Sequence, residues 1–330
     1  MGVHHCTCEP LRTSSLVRDR NVETFRYKDI TGYYTRTFMQ PPAPSLAPAQ
    51  PQARGQRDPL NAEAALRAIQ SGARYFFETH DFAQLVHRDA DSSAVKKALH
   101  RLVKQGLVVL ATKRPAGWLI VPAEQAHYGA PPATWWLDDC LKRIEPHYYV
   151  ALLSAARHWG SAHYALQDTQ VMVGKPRLAL TPGRLKVDFF SKRAIAKTPT
   201  IQVTSGVAPW RVSTREATLL DLIRHQPDIG GIESVIRIAR DLSPKIELAG
   251  LTQSLNAMGQ VPAAQRLGFI LERLGVKKPA QRVADWLESH RTMPYPLELQ
   301  VSMDESSLVL DERWNIRYDA RRLNIFEEIA

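Results

Sequence analysis

Residues 92–105, SSAVKKALHRLVKQ, set Val95, Leu99, Leu102 and Val103, with Ala98, on one face at the 3.6-residue period of an α-helix that stops at Gly106. The opposite face carries Ser93, Lys96, Lys97, His100, Arg101 and Lys104; four of these are formally positive and the helix holds no acid. Solvated helices ordinarily mix signs and gain i,i+4 pairs, whereas a one-sign face repels itself unless an anion lies against it. The chain around this helix must therefore supply a core on one side and leave the other open to a polyanion.

The neighbouring segments supply that frame. NAEAALRAIQSG carries Ala65, Leu66 and Ile69 at helical spacing and stops at Gly72, and RYFF at 74–77 is short and β-prone. Thr79 opens a second helix with Phe82, Leu85 and Val86 inward, and RDAD at 88–91 supplies a turn and capping acids. LVVLAT and GWLIVP follow as β-rich runs joined by KRPAG. Helix, short strand, helix, turn, helix and hairpin is the order of a winged helix-turn-helix, predicted here over about 59–125. At 1.5 Å per residue the third helix is about 20 Å long, enough to lie in a major groove of double-stranded DNA. Ser93, Lys96 and Lys97 then meet base edges, while Arg101 and Lys104 sit on flanking phosphates with His100 on the same face. Lys113 and Arg114 at the hairpin tip meet backbone or minor groove. A merely solvated basic face, or a winged helix used only to bind protein, are the competing readings.

The formal net charge of +10 over 330 residues agrees with a polyanionic partner, since each neutralised phosphate releases a counterion. That length predicts two domains, and a hydrophobic fraction of 44% with a charged fraction of 23% is ordinary for a globular chain. Residues 41–56, PPAPSLAPAQPQARGQ, cannot bury apolar surface and read as an extended linker, so 1–58 is expected to be a disordered tail and linker. Met39 directly ahead of the linker is a candidate natural start. Cys6, Cys8 and Cys140 make no disulfide framework, and His4, His5, Cys6 and Cys8 lack a second ligand pair, so neither metal nor cofactor is expected. No apolar run approaches the roughly 20 residues that span a bilayer, and no secretory signal opens the chain, which predicts a cytoplasmic protein without a membrane partner.

From about 134 to 330 the pattern is mixed α/β, giving an α+β protein overall. WWLDDCLKRIEPHYYVALLSAARHWG reads as two helices interrupted at Pro146; 163–212 holds three or four β-prone runs; five helical segments follow; LELQVSM and WNIRYDA read as closing strands. Arg184, Lys186, Lys192 and Arg193, with Lys197, form a candidate surface for nucleic acid or an acidic partner. Catalytic patterns are incomplete. Gly160-Ser161 followed by Asp168 lacks the second carboxylate of a nucleotidyltransferase, and Asp188 with Lys192 lacks that of a metal-dependent nuclease. Gln265 and Arg266 lie on a helix whose Leu267, Ile270, Leu271 and Leu274 are core, and Asp221 and Arg215 read as structural partners.

SSAVKKALHRLVKQGLV, YYVALLSAARHWG, VSTREATLLDLIRHQPDIGGIESV, AAQRLGFILERLG and ERWNIRYD, in this order over roughly 59–320, resemble the AbiEi antitoxins of type IV toxin–antitoxin and abortive-infection systems. The resemblance implies an AbiEi-like antitoxin domain at 134–330 and no enzymatic activity. It also implies repression of the protein's own operon at promoter repeats, and neutralisation of a nucleotidyltransferase-type toxin without a stable complex. The alternatives are a plain winged-helix regulator with a ligand-sensing or oligomerising second domain, and a metal-dependent nuclease.

Overall fold

The computed structural model describes residues 22–29, 32–39, 60–161, 168–204, 206–299, 308–322 and 324–329. Contacts divide the chain into two units, Met1–Arg57 and Asp58–Ala330. In the first, β1 (Val22–Asp29) and β2 (Gly32–Met39) pair antiparallel, with Val22 opposite Met39 and Asp29 opposite Gly32. This hairpin falls in the stretch expected to be a disordered tail. VETFRYKD and GYYTRTFM are rich in aromatic and β-branched residues, but charges interrupt both runs and hide the strand pattern. The Pro-rich stretch at 41–56 and the His4, His5, Cys6 and Cys8 group lie outside the described residues.

The second unit opens with α1 (Ala62–Gln70), whose first turn is capped by Asn61 accepting from Ala64 N at 2.8 Å. β3 (Phe76–Glu78) leads directly into α2 (Thr79–Leu85), where Asp81 accepts from Glu78 N at 3.0 Å. α3 (Ser93–Lys104) is followed by β4 (Val108–Lys113) and β5 (Ala116–Ile120), and the three strands form a sheet in the order β3-β5-β4. Adjacent residues of β3 and β5 face opposite ways, as strand geometry requires. Phe77 and Ile120 join Leu66, Phe82, Val95 and Leu99 in a small core beneath the helices. Phe76 and Leu119 point the other way, into a second core with Trp136, Leu137, Leu141 and Tyr148. The small sheet is thus buried on both faces.

That second core continues through α4 (Leu137–Ile144), β6 (Tyr148–Val150), α5 (Leu152–His158), β7 (Asp168–Val173), β8 (Lys186–Ser191), β9 (Thr200–Thr204) and β10 (Pro209–Ser213). The strands make a mixed sheet in the order β8-β7-β6-β10-β9; β7 runs parallel to β8 and β6 parallel to β10. β6 lies where a break between two helices was expected. It is only three residues long and all three are buried, so no alternation marks it.

The other side of this sheet is covered by α6 (Arg215–Arg224), α7 (Gly231–Leu242), α8 (Leu248–Met258), α9 (Val261–Arg273) and α10 (Lys277–Glu288), near the five expected helical segments. A small sheet of β11 (Tyr295–Pro296), β12 (Val309–Asp311) and β13 (Ile316–Tyr318), in the order β11-β13-β12, precedes α11 (Asn324–Ile329). LELQVSM lies largely outside the described residues, whereas WNIRYDA contains β13. Among the described residues no helix is long and apolar enough to cross a membrane.

Gln265, Arg266 and Gly268 of α9 hold this last segment. Gln265 Nε2 donates to the carbonyls of Met293 (2.9 Å) and Trp314 (2.8 Å), and Arg266 Nε donates to that of Pro296 (2.8 Å). The Trp314 ring lies across Gly268, where an added Cβ would sit 1.9 Å from Cζ3, and its Nε1 donates to Glu272 at 2.6 Å. QRLGFILE and ERWNIRYD are therefore two halves of one joint.

Candidate nucleic-acid interface

The Ser92 hydroxyl starts α3 by accepting from Val95 N at 3.3 Å. Its end is a Schellman turn, in which Leu107 N donates to Leu102 O and Gly106 N to Val103 O, each at 3.0 Å. That turn needs a left-handed residue, and Gly106 (φ +72°) supplies it. Val95, Leu99 and Leu102 are buried, which fixes the helix's rotation about its axis. Val103 departs from the expected stripe: it is 38% exposed, beside Leu107 at 37%. The buried arc needs one residue per turn, and Val103 falls a full 100° past Leu102, outside the small core.

Rotation fixed in this way places Ser93, Lys96, Lys97, His100, Arg101 and Lys104 all on the exposed face. Among the described residues none of them meets a carboxylate within ion-pair distance. Lys97 to Arg101, Lys96 to His100 and His100 to Lys104 are i,i+4 neighbours, so no intrahelical pair relieves the like charges. The β4–β5 turn closes on Lys113 paired with Ala116, leaving Lys113 and Arg114 exposed at its tip. A hydrogen bond from Thr112 Oγ1 to Pro115 O (2.7 Å) stiffens this turn, and Trp118 Nε1 donating to Thr79 Oγ1 (3.0 Å) ties β5 to α2. Cationic helix face and cationic hairpin tip are both presented from a packed scaffold.

Of the second expected basic surface, Arg184, Lys186 and Arg193 are exposed and Lys192 is not. Lys192 is 3% exposed; its Nζ lies 2.9 Å from Asp221 Oδ1, and the Tyr149 hydroxyl donates to Asp221 Oδ2 at 2.7 Å. Burial pulls the Lys192 ammonium below its usual range against the opposing pull of Asp221, and burial followed by Asp221 pushes the Tyr149 hydroxyl up. Lys186 is neutralised by Asp188 at 2.8 Å and Asp168 at 3.6 Å, its pKa raised first by the Asp188 hydrogen bond. Among the described residues, of the four only Arg184 and Arg193 are exposed cations without an ion pair, because the chain at the end of β8 turns Lys192 inward onto α6. Of the residues of the nuclease pattern, Lys192 is engaged by Asp221 and Asp188 by Lys186. Among the described residues no group of three His, Cys, Asp or Glu is set to hold a metal ion. Asp221, read as a structural partner, is one; Arg215 donates to Lys245 O and stacks 4.6 Å from the Trp159 ring.

Residues 149–273, from β6 through α9, match the family model described as the AbiEi antitoxin C-terminal domain. Among solved structures, the chain is similar to the crystal structure of the RV2827C protein from Mycobacterium tuberculosis. That match has 15% sequence identity and a TM-score of 0.57, covering 83% of this chain and 95% of the other. Likeness at this identity establishes shared fold. No curated protein matches the chain.

Proposed function

We propose that this chain, which carries the AbiEi antitoxin C-terminal domain over 149–273, is a DNA-binding autorepressor and type IV antitoxin whose N-terminal reader is a winged helix-turn-helix. The observation that carries the DNA reading is the α3 face, which presents four Lys and Arg side chains, unpaired among the described residues, from a helix locked by Val95, Leu99 and Leu102. Ser93, Lys96 and Lys97, near the helix N-terminus, reach base edges in the major groove, where lysine donates to guanine O6 and N7. Arg101 and Lys104 fix register on the phosphates, with His100 between them, and Lys113 and Arg114 extend those contacts along the backbone. The family match implies a cognate toxin, proposed to be of the nucleotidyltransferase type and countered without a stable complex. No catalytic step is assigned to the chain.

Gel-shift titration against the chain's own upstream region, beside scrambled duplex and across a salt series, tests the DNA reading. Specific binding with a log–log salt slope near −4 or steeper is the outcome for about five cations on phosphates. Equal affinity for scrambled duplex removes the repressor assignment and leaves the helix and hairpin as a protein-binding module. Co-expression with the adjacent toxin tests the second half: growth restored by the intact chain and by a Lys96→Ala, Lys104→Ala variant places antitoxicity in the C-terminal body. Growth that is not restored favours the plain regulator.

A further inference from the structure

Arg224, at the end of α6, and Arg266, in α9, line an open cleft of about 610 Å³ with the Gly259–Ala263 turn and Leu299. Arg266 is 5% exposed, yet its acceptors are the neutral carbonyls of Pro296, from Nε, and Pro262, from Nη1 at 3.3 Å. The bond to Pro262, four residues earlier, bends the guanidinium back toward the start of α9, the direction helical side chains favour. Its second terminal nitrogen makes no hydrogen bond among the described residues, and no acid pairs with it. Burial draws its pKa down to about 10, opposed by Tyr295, whose ring centre lies 5.9 Å from the guanidinium carbon, and by no carboxylate. A buried cation left this way is costly unless a counter-charge arrives.

Two further features converge on the same cleft. Arg224 is exposed and forms no ion pair among the described residues; Asp221, one turn earlier on α6, is already engaged by Lys192 and Tyr149. The N-terminus of the 13-residue α9 has no capping side chain, so the positive end of its dipole is uncompensated. Among the described residues no acid lines the opening.

We propose that this cleft is a phosphate-binding site, with the phosphate oxygens shared between the Arg224 guanidinium, the free nitrogen of Arg266 and the α9 N-terminus. Guanidinium forks match phosphate oxygens in pairs, and a helix N-terminus adds backbone donors and a fixed dipole. The volume exceeds that of a bare phosphate, which points to a phosphoester. A free nucleotide and the terminal phosphate of a nucleic-acid strand present the same chemistry. The cleft uses none of the α3 residues, so this site stands apart from the DNA reader.

Isothermal titration of the full chain with inorganic phosphate, a nucleoside triphosphate, and a short single strand with and without a 5′-phosphate tests the site. Binding of phosphate at one site per chain is expected. Arg224→Gln, on an exposed side chain, should weaken it about tenfold or more without moving the thermal midpoint or the gel shift on upstream DNA. Triphosphate binding more tightly than either strand assigns a free nucleotide; a phosphorylated strand binding more tightly than its hydroxyl twin and the triphosphate assigns a strand end. No binding of any phosphate probe, or equal binding by Arg224→Gln, overturns the proposal. Because the gel shift is read in parallel, loss of this site and loss of the DNA reading are separate results.

Discussion

Asp221 is wholly buried on α6 and accepts from Lys192 Nζ and the Tyr149 hydroxyl, three groups drawn from α6, β6 and the end of β8. Removing one member leaves a charge without a partner in the interior, so Asp221→Ala should cost about 3–5 kcal/mol in urea unfolding. Replacing Asp221 and Lys192 together by leucine and methionine should recover much of that loss; a double variant as weak as the single one would contradict it. Cys140 gives a pH-dependent counterpart. Burial pushes its thiol from 9.0 up to about 12, opposed by Arg143 and Arg177. The raised folded value means the stabilisation is fully present below about pH 9 and is lost as pH climbs toward 12. The thermal midpoint should therefore begin to fall from pH 9, and Cys140→Ala should flatten the fall between pH 9 and 10. Neither environment is legible from local sequence. SKR at 191–193 reads as a charged surface run, and only the fold brings Asp221, 29 residues later, onto Lys192.

At the scale of the element, α3 keeps its packed face and its cationic face apart. Leu99→Ala, at a site 2% exposed, should cost about 2–5 kcal/mol. Lys96→Ala should leave stability within about 0.5 kcal/mol while weakening specific DNA binding by about 1–3 kcal/mol. Equal loss of affinity for specific and scrambled duplex would move Lys96 from base to phosphate. Val103→Gln should be tolerated within about 0.5 kcal/mol, which a strictly periodic reading of the stripe contradicts. The helix itself was readable because Ser92, Gly106 and three buried apolar residues agree on its ends and its rotation. Asp89 and Asp91 were not the cap; Ser92 takes that role, and the acids serve the preceding turn. β6 was unreadable for the opposite reason, since a three-residue strand buried on both sides carries no period at all.

At the scale of the molecule, the small sheet that backs the basic helix is packed by its other face into the body that follows. The sequence divides the domains between 125 and 134, where residues 129–134, GAPPAT, are proline-rich, yet the contacts draw their division at Arg57 and Asp58. Phe76 and Leu119 pack with Trp136, Leu137 and Leu141, and the Tyr75 ring meets that of Trp135 at 4.9 Å, tilted by 48°. Arg143 of α4 reaches Glu78 at 3.0 Å and Asp81 at 3.9 Å across the same seam. A composition shift marks where the chain turns, but it cannot reveal that β3 and β5 are apolar on both faces. Cutting at the turn would expose that second face, so 58–125 should not behave as an independent domain. Native-state hydrogen exchange distinguishes the two cases. Peptides covering 76–82 and 116–120 should share their protection with those covering 148–153 and 168–173. Trp136→Ala, which empties a site 0% exposed and should cost about 3–5 kcal/mol, should lower protection in both groups together. If 62–120 opens while 148–153 and 168–173 keep their protection, the seam is a docking contact between separate domains; common loss means that the two open as one cooperative unit, so that a change on one side of the seam is felt on the other.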